Sequence, residues 1–585
     1  MLQKEGIRPE TFIFRVNQSG YILACKNYFR RYQHSILMKD MVNRTLKYLA
    51  ISAAAALLSA ACIQETHSVT VATEDQVTLQ TLIKGIPSAM MEPGSAGYAS
   101  SGQAWDFGLP AIHLATESMT GDLVVTGNIG YDWFQQWGTN DALGQEYAVC
   151  VLTWNTYYRW IAMCNDIIRK ISRMDSADIT ATDIQYLGFA YAYRAYSYLD
   201  LVRLYEFKEN NYTDGDGIVG LSVPIVTEES TEEQAKNNPR AMADDVFDKV
   251  IFPDLDKAEE LLANYVPANR YAVSTALIYG LKARAYIDRA TAHEDPALYA
   301  KAAEYARKAI NSSSCTPLTQ AEWEDPVNGF NNASSNNSWI WGLPLASENV
   351  ASLFCFTAHM STEQSWSAYG FSVGRGINKN LYNSIDRNDF RKHSWLDPDR
   401  SSYEYKSCRT DSKTYFASSL ADYVNIKFRP AGGECKISAT GGAADHPMMR
   451  VEEMYFIEAE ARAHENLNEG ISLLNSFMNN YRITGGSYDC GKKATSLKGF
   501  INELMLQKRI EFWGEGIVMF DLKRLDMSTK RGYVGTNSPT SYRLNTDGRA
   551  PYWNFVISRG EVQNNKAIIG KNNPDPSGII KPWTE

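Results

Sequence analysis

The chain carries its densest group of chemically capable side chains late, between Leu506 and Arg524. There Glu511 and Glu515 stand four residues apart, on one face of a helix, with Asp521 close behind. Two facing carboxylates are the equipment of glycoside hydrolysis, one as proton donor and the other as base or nucleophile. Lys508, Arg509, Lys523 and Arg524 surround them, however, and opposite charges at helical spacing normally pair with each other. Glu453, Glu458 and Glu460 repeat the pattern beside Arg450 and Arg462. Both groups therefore read as structural ion networks between helices, and the chain is not expected to be an enzyme. The strings G-x-S-x-G and H-E-x-x-H, the phosphate loop and the calcium loop do not occur, and His446 and His464 stand alone. No cofactor and no metal site is expected.

Two other segments mix aromatic and polar residues in a way that suits a different chemistry. The first holds Tyr131, Trp133 and Trp137 among Asp122, Asn140 and several amides; the second holds Trp366, Tyr369 and Arg375. Sugars present apolar C–H faces and polar rims. Aromatic rings cover the first, and carboxylate, amide and guanidinium groups bond the second. These eight residues are the candidate ligand contacts, with about half of the aromatics expected in the core by ordinary burial preference. Trp154, Trp160 and Trp513 fall on helices and read as core, while Trp339 and Trp341 alternate along a strand, so that one of them should face inward.

Positioning such segments requires a scaffold, and the sequence describes a helical one. Helices are expected over 81–91, 105–119, 154–173, 183–205, 242–262, 275–290, 299–310, 450–465 and 470–482. In the fourth, Ala192, Ala195, Leu199 and Val202 form one face; in the seventh, Ala302, Ala303, Ala306 and Ala309 do so. Such small-residue faces permit close helix packing, and the paired helices resemble tetratricopeptide hairpins. A long irregular insert, 315–447, interrupts the series; a segment of that kind in a compact protein is usually a functional elaboration.

Composition narrows the function. A formal net charge of -9 leaves no basic surplus for phosphates, which excludes a nucleic-acid binder. The 34 Tyr and 13 Trp against 8 His favour a binder of hydroxyl-rich or amphipathic ligands over a metalloenzyme. The nine cysteines include no C-x-x-C pair, and seven remain if Cys62 becomes the mature N-terminus. A complete disulfide framework is thereby excluded, although Cys408 and Cys435 could pair across a loop.

Residues 38–61 read as an export signal. Lys39, Arg44 and Lys47 precede a short apolar stretch, and Ser59, Ala60 and Ala61 precede Cys62. A cysteine placed there resembles a bacterial lipobox, so Cys62 is the expected lipid attachment site. Residues 1–37 lack an apolar run, and the expectation is that Met38 or Met41 is the true start.

Taken together, these segments resemble the SusD/RagB family. RVEEMYFIEAEARAHENLNEGISLLNSFMNNYR resembles its hallmark helix pair, and LQKRIEFWGEGIVMFDLKR resembles its next signature through Lys508-Arg509, Glu511-Phe512, Glu515-Gly516 and Asp521-Leu522. ALIYGLKARAYI, RAYSYLDLVRLY and Asn573-Pro574 follow in the family's order. The resemblance implies an all-α-dominated fold with about four tetratricopeptide-like hairpins, a few short strands and a loop-rich ligand face. It divides residues 62–585 into an N-terminal part, 62–290, and a C-terminal part, 291–585, which contains the insert. It further implies non-catalytic capture of an oligosaccharide, or of a peptide in some members, at the outer membrane. The partner it implies is a SusC-like TonB-dependent porin, with the membrane reached through the N-terminal lipid. The rival readings are a glycosidase on a helical scaffold and a tetratricopeptide scaffold that binds proteins.

Overall fold

The computed structural model describes residues 78–94, 103–127, 132–330, 336–350, 352–400 and 403–585. Cys62, the export signal, the 1–37 extension and Tyr131 lie outside the described residues. Among the described residues, no helix is long and apolar enough to cross a membrane, and no cluster of three or more His, Cys, Asp or Glu could hold a metal ion.

The body is built of antiparallel helix pairs. After α1 (Leu79–Met91) and α2 (Leu109–Ser118), α4 (Ala148–Ser172) pairs with α5 (Ala181–Tyr205), with α3 (Trp133–Gly138) between α2 and α4 in sequence. α5 opens with a capping box, in which Thr180 accepts from the Asp183 N–H and Asp183 returns the bond to the Thr180 N–H. That exchange satisfies two of the donors a helix start leaves unpaired. The helical run 243–261 (α6), which holds a π-helical turn at Phe247–Ile251, packs on α5. α7 (Thr275–His293) and α8 (Pro296–Ser313) form the closest pair. Only Glu294, in a left-handed conformation, and Asp295, the cap of α8, separate them. Ala302, Ala303, Ala306 and Ala309 are all fully buried, as the small-residue face requires. After the short helix α9 (Ala368–Phe371) of the insert, α10 (Val451–Glu465) packs against α8 and pairs with α11 (Leu467–Tyr481); α12 (Leu497–Glu511) and α13 (Val518–Arg524) close the array.

Most helices begin and end within three residues of the sequence expectation; the helix expected from 154 starts six residues earlier, at Ala148, and one other start is instructive. The expected helix at 105–119 starts only at Leu109. Gly108 has φ 75°, and a Cβ there would strike the carbonyl oxygen of Met90. Only glycine adopts that backbone at such close approach, so the helix cannot extend backward through it.

Four short strands make two antiparallel ribbons. β1 (Leu123–Val125) pairs with β3 (Arg375–Ile377), Val125 opposite Arg375. β2 (Trp339–Leu343) pairs with β4 (His446–Arg450). The expectation that only one of Trp339 and Trp341 faces inward is corrected here: both are fully buried, because residues two apart in a strand share a face and β2 is buried along its whole length.

Charged side chains brace the interior. Glu511 accepts from Arg391 at 3.0 Å, Arg450 at 2.9 Å and Arg482 at 2.8 Å, and Glu515 accepts from Arg450 at 2.9 Å and Lys427 at 2.8 Å. Burial alone would raise the Glu511 carboxyl, but Arg482, Arg450 and Arg391 hold it well below the usual carboxylate range. Asp521 pairs with two of the neighbours expected in sequence, Lys508 and, at 2.7 Å, Arg524, but the other partners lie elsewhere in the chain. Lys508 binds Asp521 at 2.5 Å, Arg509 binds Asp122, Arg524 binds Glu460 at 2.6 Å, and Lys523 donates to the carbonyls of Arg203 and Leu204. Glu453 and Glu458 likewise pair with Arg284 and Arg307 of other helices. Each charge thus ties its helix to a neighbour.

One buried acid has the opposite character. Glu117 of α2 faces the turn after α12, where its Oε2 accepts from the Gly516 N–H at 3.2 Å. Burial pushes its carboxyl up to about 8, against the backbone N–H groups of Gly514 and Gly516. Burial lowers the nearby His113, which meets His446 at 2.8 Å, to about 3. A raised carboxyl stabilises the fold fully below its unfolded value near 4.5 and loses that contribution as pH rises toward 8. The histidine acts in the opposite sense, but only below about 6.5. Between pH 6.5 and 8 the Glu117 contribution is therefore isolated from it. Wild-type stability should fall there by up to ~1.4 kcal/mol per pH unit, and Glu117→Gln should flatten the decline in urea titrations; equal slopes would show that Glu117 is ionised throughout.

Candidate functional site

The two aromatic segments picked from sequence meet in space, although more than 200 residues separate them. β1 follows Asp122 and pairs with β3, which begins at Arg375. One guanidinium then joins the flanks. Arg375 Nη2 donates to Asp132, the cap of α3, and its Nη1 donates to the carbonyl of Tyr369 at 2.6 Å. Both members of this ion pair are fully buried. The far end of α3 is gripped by Arg531, which donates to the carbonyls of Gly138, Ser118 and Thr120. α3 is thus fixed at both ends by buried arginines, one from the insert and one from the C-terminal region.

A stack of rings lies beneath. Phe134 meets Trp137 edge-on at 5.1 Å, Trp137 meets Trp105 at 6.5 Å, and His359 lies between Phe134 at 5.1 Å and Tyr369 at 4.3 Å. Burial drives His359 well below its ordinary value, so this layer is uncharged at neutral pH.

The candidates divide accordingly. Trp133 and Trp137, read as loop residues, are the first and fifth residues of α3. Trp133 is half-buried and leans on Trp137 at 6.4 Å, whereas Trp137 is only 1% exposed. Asp122 is buried and paired with Arg509 at 2.5 Å, and its carbonyl accepts from the Trp513 indole at 3.1 Å. Asn140 is buried with φ 60°, a conformation that asparagine tolerates well. Tyr369 and Arg375 are buried as described. Five of the eight candidates, Trp137, Asp122, Asn140, Tyr369 and Arg375, are therefore buried. Asp122, Tyr369, Arg375 and the Trp137 ring are engaged by protein groups, whereas the buried Asn140 side-chain amide has no hydrogen-bond partner. Trp366 remains half-buried, its ring against the turn at Gly441, where a Cβ would come within 2.7 Å.

The structure adds a residue that the sequence reading passed over. Phe371, at the end of the short helix Ala368–Phe371, is 37% exposed although it is aromatic. It lies two residues from the Tyr369 carbonyl that Arg375 holds. A cue existed in the Ala-Tyr-Gly-Phe spacing: residues two apart in a helix point in different directions, so a buried Tyr369 implies an outward Phe371. Arg531 gave no such cue, because its partners are backbone carbonyls some 400 residues earlier. The partly exposed aromatics of the two segments are Trp133, on α3 with Gln136, and Phe371, which precedes the exposed Ser372; an aromatic ring with amide or hydroxyl neighbours can stack on a sugar face. Among the described residues of these segments, Asp122 and Asp132 are buried in ion pairs with Arg509 and Arg375, and Glu511 and Glu515 are engaged elsewhere.

Fold and site together define a helical-repeat scaffold whose insert and N-terminal loops build one aromatic-lined face. A family model described as starch-binding and associating with the outer membrane matches residues 108–287, and a model of the SusD family matches residues 399–574. The chain belongs to the SusD/RagB family. It is 30% identical over 149 residues to the SusD-like protein P38 of Formosa agariphila, a match spanning about a quarter of each chain: 25% of this one and 25% of that one. Among solved structures, a SusD-like carbohydrate binding protein from Bacteroides vulgatus superposes with a TM-score of 0.65 at 20% identity, covering 85% of this chain and 98% of that one. Surface glycan-binding protein A from Bacteroides uniformis superposes with 0.58 at 18% identity, covering 85% and 98%. At those identities the superpositions establish the fold.

Proposed function

We propose that the protein captures an oligosaccharide at the bacterial outer surface, without cleaving it, and delivers it to a SusC-like TonB-dependent transporter. The observation that carries this reading is α3. A partly buried tryptophan sits on a short helix held at each end by a buried arginine, which makes a stacking platform formed before the ligand arrives. Preformed platforms avoid the ordering cost that flexible binding loops incur. The names carried by the SusD-like relatives, carbohydrate-binding and glycan-binding, favour a sugar over the peptide that the family resemblance also allows. The reading of Cys62 as a lipid-bearing N-terminus supplies the surface location.

Calorimetry of the protein against a panel of plant and host glycans, with unstructured peptides alongside, tests the ligand class. Micromolar to millimolar binding of one glycan family, with intact sugar recovered afterwards, is the expected result. Binding of peptides alone would replace the ligand class, and recovered cleavage products would overturn the non-catalytic reading. For the anchor, Cys62→Ala should leave the protein unprocessed or release it from the membrane fraction. A soluble product cleaved in the presence of a lipoprotein signal-peptidase inhibitor would remove the lipid from the account.

A further inference from the structure

Seven of the chain's cysteines lie among the described residues. Cys150, Cys164, Cys315, Cys355 and Cys490 are buried apart from one another, and burial raises each thiol. Such thiols behave as small apolar groups. Cys408 and Cys435 are different. They sit on two loops of the insert, 27 residues apart in sequence, with their Sγ atoms 2.8 Å from each other. Cys435 is 8% exposed, and Cys408 is more open to solvent.

Both loops grip the strand of chain that leads to Trp366. From one side, the Cys435 carbonyl accepts from the Ser365 N–H and from its hydroxyl, each at 2.9 Å. From the other side, the Glu363 carboxylate accepts from the Ser407 hydroxyl and from the Cys408 N–H at 3.3 Å, and Arg409 donates to the Glu363 carbonyl at 3.1 Å. Arg429, next to the second loop, donates both to Glu363 at 3.0 Å and to the Lys406 carbonyl at 2.9 Å. Apart from the thiol pair, everything that holds residues 363–366 between these loops is a hydrogen bond or an ion pair.

We infer that Cys408 and Cys435 form a disulfide after export and that this bond locks the support of the Trp366 side of the candidate site. The chemistry balances through ordinary thiol–disulfide exchange. The more exposed Cys408 thiolate attacks the disulfide of an oxidising donor protein, giving a mixed disulfide and one donor thiolate. The Cys435 thiolate then attacks the Cys408 sulfur and expels the second donor sulfur. Two electrons pass to the donor, and the two cysteine protons end on its thiols. The inference rests on the surface location proposed above, since disulfides persist in oxidising compartments.

The test has two arms, so that a failure of export and a failure of the pair can be told apart. In the first, purified full-length protein is equilibrated in a glutathione buffer poised near −180 mV, close to an oxidising secretory compartment. It is then alkylated and mapped without reduction. A peptide joining Cys408 to Cys435 is expected, with the other thiols alkylated; alkylation of both Cys408 and Cys435 would overturn the pair whatever the compartment. In the second, membrane fractions of the producing bacterium are mapped in the same way. A linked peptide there places the bond in the cell, and two alkylated thiols after a positive first arm would overturn formation after export. For the lock itself, Cys408→Ser should speed proteolysis within 409–434 by about tenfold or more, as should reduction of the wild type. Cys355→Ser should change nothing. Equal cleavage of oxidised and reduced protein would overturn the lock.

Discussion

Replacing Glu511 by glutamine should lower stability by about 3–5 kcal/mol and remove no turnover, because the carboxylate does no chemistry. Glu511 lies beneath three guanidiniums, from Arg391, Arg450 and Arg482, and all four side chains are essentially without solvent contact. A neutral amide of the same shape keeps at most the two hydrogen bonds its oxygen accepts, sets its NH2 against two guanidinium donors, and leaves positive charge buried without its counterion. Breaking a buried pair from one side is costly for that reason, more so than replacing the whole network with apolar groups. Chemical denaturation of wild type and Glu511→Gln measures the difference, and the exposed Glu232→Gln, which removes only a solvated partner of Lys236, serves as a control with no expected change. Near-equal midpoints would show that the arginines are compensated by Glu452 and Glu515 without Glu511. Glycan cleavage by wild type that disappeared in the variant would restore the hydrolase reading.

The second large effect separates two tryptophans four residues apart. Trp137→Ala should cost about 3–5 kcal/mol, the usual range for a buried aromatic truncated in a packed core, since its ring touches Trp105, Phe134 and Trp133. Trp133→Ala should change the melting temperature little and weaken binding of the cognate glycan by about one to two factors of ten. That corresponds to roughly 1–3 kcal/mol for one lost stacking surface. Phe371→Ala should follow Trp133 rather than Trp137. Calorimetry and thermal melts on the three variants give the comparison. If Trp133→Ala unfolds the protein while leaving the affinity of the survivors intact, the platform is elsewhere, and Trp366 with the insert loops becomes the place to look.

Elements with a strong local signal were legible in the sequence. The alanine stripe of Pro296–Ser313 and the mixed small and apolar face of Ala181–Tyr205 specify helix and packing face together, because a period near 3.6 and small side chains are properties of the segment itself. The Leu506–Arg524 string identified a family, and with it a fold, since charges buried at such cost occur in few sequences. The two aromatic segments were also visible as unusual mixtures of rings and amides.

What the sequence by itself determined was therefore the set of helices, their packing faces, and the two segments from which a site could be built. Tertiary structure alone decided which residues of those segments face outward. Asp122, Arg375 and Trp137 have the right chemistry for a ligand, but Arg509 of α12, Asp132 and a neighbouring ring layer had already claimed them, and Asn140 is buried. Trp133 keeps part of its ring and Phe371 more of its ring outside through helix phase, which one residue of shift would turn by about 100°. Ion-pair partners were illegible for the same reason: Glu511 has Lys508 and Arg509 beside it in sequence, yet it binds arginines 29, 61 and 120 residues away. A charge pairs with whatever opposite charge the packed helices bring within about 3 Å, and that proximity is a property of the assembled array.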